Sequence, residues 1–202
     1  MNIRLEEEKD YFEVENLTRE AFWNVYRPGC FEHLVVHNLR NDKAFVKELD
    51  FVIEEKGKIV ANIVYANGKL KQLDGEEVPV LIFGPVSVLP EYQKKGYGKE
   101  IINHTLQLAS LLGYPCVLIT GNPDYYKKYG FVSASRYNIF YEGADVNDEA
   151  PYFMIKVFNE NEMSEYEGTY SDPECYNVDK KEVDEFDEKF PKKTKEVKEG
   201  QL

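Results

Sequence analysis

Long apolar runs, cysteine, tryptophan and positive charge are all scarce in this chain. No stretch nears the ~20 consecutive apolar residues that span a bilayer. Residues 1–8 show no basic segment followed by an apolar one, so neither a membrane helix nor a secretory signal is expected. Three cysteines (Cys30, Cys116, Cys175), odd in number and far apart, make no disulfide framework and fit a reducing cytosol, so a cytoplasmic protein is expected. The 25 Lys and Arg are outnumbered by 37 Asp and Glu, for a net charge of −12. So acidic a surface repels phosphate backbones and anionic lipid, and neither nucleic acid nor a membrane is expected as a partner.

What is present is enough for a core. Apolar residues make up 43% of 202 residues, and 12 Phe with 15 Tyr exclude a wholly disordered chain. The length suits one domain with an appendage. Residues 158–202 hold 14 Asp and Glu against 7 Lys, a net of −7, which leaves −5 for residues 1–157. We therefore divide the chain into a main domain, 1–157, and an acidic, aromatic-containing appendage, 158–202. Tyr166, Tyr170, Tyr176, Phe186 and Phe190 recur through the appendage, so partial docking is expected, with residues 183–190 forming a short helix stopped by Pro191. A disordered acidic tail is the alternative.

Ile3 and Leu5 alternate with polar residues as in a strand, and Val14, Leu17 and Ala21 are spaced as in a helix. A second short helix fits residues 31–38. Residues 51–55 and 59–65 are rich in β-branched residues and flank Lys56-Gly57-Lys58, as in a hairpin; Asn67-Gly68 reads as a further turn. A long strand follows over residues 78–89, with Gly84-Pro85 predicting a bulge or break. Ile101, Ile102, Leu106, Ala109 and Leu112 predict an amphipathic helix stopped by Gly113-Tyr114-Pro115. Residues 116–119 form a central strand, 124–129 a short helix, and residues 131–132 and 153–157 later strands. The order predicts a mixed α/β domain.

Between the long strand and the helix lies Gln93-Lys94-Lys95-Gly96-Tyr97-Gly98-Lys99. Two glycines spaced G-x-G at a helix start let backbone amides approach a phosphate, which the helix dipole favours. Lys94, Lys95 and Lys99 add charge against the overall sign. The glycines alone favour a turn with solvated lysines, and a nucleotide-binding protein using the same loop is a rival.

The wider segment, Val86-Ser87-Val88-Leu89-Pro90 through Lys99, resembles motif A of the GNAT N-acetyltransferases, with its Gln/Arg-x-x-Gly-x-Gly/Ala signature. Tyr126, placed before Gly130-Phe131, matches a second landmark of that family. Gly121-Asn122-Pro123-Asp124-Tyr125-Tyr126 is most similar to a subgroup of predicted acetyltransferases, which residues 22–30 also resemble. The resemblance implies the GNAT fold, a mixed central sheet flanked by helices with a bulged fourth strand. It implies acetyl transfer from acetyl-CoA to a primary amine of a small molecule or peptide, directly, in a ternary complex. It places pyrophosphate on the amides of Lys94 to Lys99, pantetheine along Val86, Ser87 and Val88, and Gln93 and Asn122 beside the cofactor. The Val88 N–H becomes an oxyanion donor and Tyr126 the general acid toward the thiolate. A packing role is the alternative for Tyr126.

One departure from the family stands out. Many members carry a Glu at the end of the fifth strand as general base, where this chain has Thr120. A non-catalytic acyl-CoA-binding module is therefore the alternative function. Trp23, Tyr26 and Arg27 are candidate acceptor-pocket residues, with helix packing the alternative. Cys30, His33 and His37 have some metal-ligand character but no evident fourth ligand, and no metal is expected. Cys116, among apolar strand residues, reads as an inert core thiol, and His104 as a helix-face residue. Self-association into a homodimer stays open.

Overall fold

The computed structural model describes residues 1–145 and 150–201. The strands are β1 (Asn2–Leu5), β2 (Phe51–Glu55), β3 (Lys58–Lys71), β4 (Glu77–Val88), β5 (Cys116–Thr120), β6 (Val132–Ser133), β7 (Ile139–Tyr141), β8 (Phe153–Val157) and β9 (Gly168–Ser171). The helices are α1 (Tyr11–Phe22), α2 (Glu32–Leu39), α3 (Tyr97–Leu111), α4 (Pro123–Tyr126) and α5 (Lys180–Asp187). They pack as two compact units. The first contains residues 1–64, 85–105 and 174–202, and the second residues 65–84 and 106–173. Residues 158–202, read from the sequence as one appendage, are thus shared: β9 belongs to the second unit and α5 to the first.

In the first unit β1 pairs antiparallel with β2, and β2 with β3, with a bulge between Ile53 and Glu54. Val52, Ile53, Val60, Ala61 and Ile63 are wholly buried, as are Ile101 and Ile102 of α3. Helix α1 buries Val14 and Leu17 and leaves Phe12 exposed to one side, as its 3.6-residue period requires.

The C-terminal helix is part of this unit. Asp179 caps α5 by accepting from the N–H groups of Lys181 and Glu182, at 2.7 and 2.9 Å, and Glu182 reaches back to the Asp179 N–H. Val183, Phe186 and Phe190 then bury against Leu34 of α2, and Phe190 stacks on Phe12 at 5.0 Å. The Arg19 side chain, with no exposed surface, donates to both carboxylate oxygens of Asp187, at 2.5 and 3.3 Å.

A second buried charge network fastens α1 and α2 to the strand entry. Arg40 donates to Glu6 at 2.6 Å and to Glu15 at 2.7 Å. Asp50 is buried beside Glu6, and burial first, then that neighbour, push its carboxyl up to about 9. The folded chain therefore keeps a proton on Asp50 that the unfolded chain releases near pH 4, and this group's contribution to stability is lost as pH rises from about 4 to about 9. Asp50→Asn, which cannot ionise, is expected to flatten that decline by up to about 1.4 kcal/mol per pH unit. Urea unfolding of both proteins at pH 6 and pH 9 checks this; parallel declines would reject it.

In the second unit β3 continues past residue 65 and turns into β4 through Gln72, whose N–H donates to the Glu76 carbonyl. Strand β4 pairs in parallel with β5 at Ile82 and Leu118. Strand β5 pairs antiparallel with β8 along its whole length, and β8 with β6. On the other side β9 pairs antiparallel with β3 and parallel with β7. This is the mixed α/β sheet that the sequence predicts. Helix α3 ends in a Schellman turn, with Gly113 at φ +89° and the N–H groups of Gly113 and Tyr114 donating to Ser110 and Ala109.

One glycine reading needs correction. Asn67-Gly68 is not a turn; β3 runs straight through it. Gly68 is there because the Tyr170 ring occupies the space a Cβ would fill. Gly84-Pro85 does not break β4, but Gly84 sits at φ +139° with nothing within 4 Å of where a Cβ would lie. Of the bulge or break expected there, the strand shows no break, and the unusual backbone is confined to Gly84.

Candidate functional site

The first unit supplies the end of β4, the loop after it and the start of α3. Ser87 is buried, and its hydroxyl donates to Thr18 Oγ1 at 3.2 Å, which donates to Asn62 Oδ1 at 3.3 Å. Its side chain is thereby committed to α1 and β3, and only its backbone can serve a ligand. Val86 and Val88 flank it half-buried, on the opposite side of the strand by the two-residue period. Sequence reading missed Thr18 and Asn62, which lie far from the motif in the chain.

The loop is shaped by local bonds. The Leu89 N–H donates to the Val60 carbonyl, and the Tyr92 N–H to the Leu89 carbonyl. The Gln93 amide donates to the Val88 carbonyl at 3.1 Å. Lys94 lies at φ +60° and Gly96 at φ +97°. A side chain at Gly96 would meet nothing within 4 Å, so glycine is required there by backbone conformation rather than by crowding. The Gly96 carbonyl accepts from the Glu100 N–H at 3.0 Å, which makes Gly96 the helix N-cap. The N–H groups of Tyr97, Gly98 and Lys99 then have no acceptor within α3. Lys94, Lys95 and Lys99 are exposed around them; the Lys95 ammonium donates to the Glu91 carbonyl at 2.7 Å and lies 5.4 Å from the Tyr92 ring. A left-handed residue, a glycine cap and open amides at the start of a 15-residue helix form an anion cradle. This geometry fits the phosphates of a nucleotide-type cofactor.

The second unit supplies Tyr126. Asn122 caps α4, its Oδ1 accepting from the Asp124 N–H at 2.9 Å, and Pro123 opens the helix. Asn122 Oδ1 is spent on this cap. The cap aims Tyr126 inward, where it is 9% exposed and its ring meets Phe83 and Phe131 edge-on, at 5.9 and 5.8 Å. A Cβ on Gly121 would lie 2.6 Å from the Tyr126 ring, so that glycine makes room for the tyrosine. Burial raises the Tyr129 hydroxyl strongly, and it donates to Tyr125 at 3.3 Å. At the end of β5 Thr120 is exposed, and burial pushes the Cys116 thiol up to about 12, an inert core cysteine.

The segment after α1 is a closed loop in the first unit. Asn24, at φ +58°, donates its N–H to the Gly29 carbonyl and accepts the Gly29 N–H on Oδ1, both at 2.8 Å. The Trp23 indole N–H donates to the Thr194 carbonyl at 2.9 Å, and the Arg19 guanidinium lies 4.2 Å over its ring. Trp23 thus seats the C-terminal segment. Tyr26 is 46% exposed at the loop tip, and half-buried Arg27 lies 4.5 Å over Phe31. Asn24, the hub of the loop, was not singled out from the sequence; an Asn five residues before a Gly was the available signal.

The three candidate metal residues go to different partners. The Cys30 thiol faces Glu32 at 3.3 Å, His37 pairs with Glu15 at 2.8 Å, and His33 is enclosed between Phe186 and Phe190. Among the described residues no group of three or more His, Cys, Asp or Glu is placed to hold a metal, and no helix is long and apolar enough to cross a membrane. His104 packs edge-on against Phe51 at 4.8 Å.

Residues 47–133 match the family model of the acetyltransferase (GNAT) domain. The uncharacterized N-acetyltransferase YjhQ of Escherichia coli K12 is 29% identical over 98 residues, 48% of this chain and about half, 53%, of that protein. The uncharacterized N-acetyltransferase YhbS of the same strain is 23% identical over 139 residues, 69% of this chain and 78% of that protein. Among solved structures, YhbS from E. coli in complex with CoA superposes with a TM-score of 0.73 at 20% identity, covering 88% of this chain and 92% of that one. A GNAT family acetyltransferase from Brucella melitensis in complex with acetyl-CoA gives 0.68 at 25% identity, covering 87% and 97%. The fold is therefore the GNAT fold, and residues 47–133 are similar to the GNAT acetyltransferase domain.

Proposed function

We propose that this protein transfers an acetyl group from acetyl-CoA to a primary amine of a small molecule or peptide, directly, in a ternary complex. The observation that carries this reading is the anion cradle at the start of α3, with Lys94 and Gly96 in left-handed conformations and the first-turn amides open. The CoA and acetyl-CoA in the related E. coli and Brucella structures support the same donor.

In this reading the amides of Lys94 to Lys99 hold the pyrophosphate, the lysines add charge, and Gln93 stiffens the loop through its bond to the Val88 carbonyl. The backbone of Val86, Ser87 and Val88 pairs with the pantetheine arm. The Val88 N–H faces the oxyanion that develops on the thioester carbonyl as the amine attacks. Tyr126 gives its proton to the departing sulfur. Asn122 acts by setting α4, and Trp23, Tyr26 and Arg27 border the acceptor. With Thr120 where a carboxylate would stand, the amine arrives neutral or loses its proton to water.

The test is release of free thiol from acetyl-CoA over a broad panel of primary amines, together with calorimetric titration of CoA. Turnover with at least one amine supports the reading; CoA binding without turnover would reduce the protein to a binding module. Gly96→Val is expected to weaken CoA binding at least ~10-fold, because a β-branched residue disfavours φ +97° and the cradle must rearrange. Unchanged CoA affinity in that variant would remove the cradle from the site.

A further inference from the structure

We propose that Arg27 recognises a carboxylate on the acceptor, so that the favoured substrates are amines that also carry a carboxylate, of the amino-acid or peptide type. The inference deepens the acetyl-transfer reading and rests on it.

Arg27 differs from the other half-buried and buried arginines. Arg4, Arg19 and Arg40 each hold a carboxylate, at 2.6, 2.5 and 2.6 Å. Among the described residues no carboxylate lies within ion-pair distance of Arg27. Its Nε is shut off from solvent and has no hydrogen-bond acceptor. Its guanidinium carbon lies 4.5 Å over the Phe31 ring. Glu32 is the acid whose field reaches the neighbouring Tyr26, but Glu32 Oε2 is spent on the Phe31 N–H at 3.0 Å and the Cys30 thiol at 3.3 Å. A desolvated donor without an acceptor is costly. In a chain with 12 surplus negative charges, a guanidinium left without one is a site whose counter-ion comes from outside.

The loop around it is set in advance. Asn24 closes it on Gly29, and the C-terminal segment holds it from below: Asn24 Nδ2 donates to the Thr194 carbonyl at 3.1 Å, and Gln201 donates to the Asn24 carbonyl at 3.0 Å. A guanidinium on so fixed a loop binds a carboxylate with little ordering cost. Exposed Tyr26 beside it offers apolar surface for the rest of the acceptor.

The experiment compares matched acceptors that differ only in the carboxylate, lysine against 1,5-diaminopentane and phenylalanine against phenylethylamine. Thiol release is followed with the full-length protein, Arg27→Gln and Arg27→Lys. We expect the wild type to favour the carboxylate-bearing member. Arg27→Gln should raise KM for that member about 10- to 100-fold while changing the other less than about 3-fold, and Arg27→Lys should recover only part of the loss. Calorimetric CoA affinity and the emission of Trp23, the single tryptophan, should match wild type in both variants and so exclude a folding defect. Equal effects on both members, a wild-type preference for the carboxylate-free member, or lost CoA affinity would overturn the assignment. If the wild type acetylates none of these amines, the transfer reading fails for this class. Arg27 is then tested by titrating the same amino acids against Trp23 emission: a response lost in Arg27→Gln upholds the carboxylate site, and no response overturns it.

Discussion

Tyr126→Phe is expected to lower turnover of acetyl-CoA by about 10²- to 10⁴-fold, with CoA affinity close to wild type. The substitution removes one oxygen and keeps the ring, so the contacts with Phe83, Phe131 and Tyr125 persist. The space for that ring is guaranteed by Gly121, whose missing side chain leaves room for it. Any loss of rate therefore reports on the hydroxyl alone. Measuring kcat at saturating acetyl-CoA decides the matter: an unchanged kcat would make Tyr126 a core residue and remove the general acid from the mechanism.

The largest effect on stability is expected from Asp187→Ala. Arg19 has no exposed surface; Asp187 supplies the hydrogen-bonded carboxylate that neutralises it, with Glu20 farther off at 3.8 Å. Removing one partner of a buried pair leaves the other charge uncompensated, at about 3–5 kcal/mol. The Arg19 guanidinium also lies over Trp23, whose indole holds Thr194, so the loss should pass to the C-terminal segment. Urea unfolding should show the lower midpoint, and Trp23 emission should shift to the red as the segment leaves. The double variant Arg19→Met, Asp187→Leu should recover most of the stability, since an apolar pair of similar volume carries no unpaired charge. Single and double variants of equal, near wild-type stability would show that the pair contributes little. His33 bears on the same seam: burial lowers its imidazole to about 4, against the pull of Asp187. The unfolded chain takes up that proton first, so this contribution is lost as pH falls from about 6.5 to about 4.

Much of this was legible in the chain. Periodicity is local, so α1, α2, α3 and the β2–β3 hairpin follow from spacing and turn residues. The cradle was readable because its glycines, lysines and preceding strand are contiguous. Strands β7 and β9 were not, because three- and four-residue strands carry little pattern and are held by partners far off in sequence. Asn67-Gly68 misled because the reason for Gly68 is the ring of Tyr170, about a hundred residues later. Helix α5 begins at Lys180 rather than at Val183, and Asp179-Lys180-Lys181-Glu182 held the capping signal. The pairing of Arg19 with Asp187, 168 residues apart, has no local trace at all.

The seating of α5 on α1 also governs when the chain can fold. The first unit draws on residues 1–64, 85–105 and 174–202. During synthesis α1 emerges with its arginine uncovered, and α2 with the apolar surface around Leu34, well before their counterparts on and after α5 are made. At ~5–20 residues per second the N-terminal helices wait for many seconds before Asp187 clears the ribosome. Completion of this unit therefore waits on residues made long after its N-terminal helices.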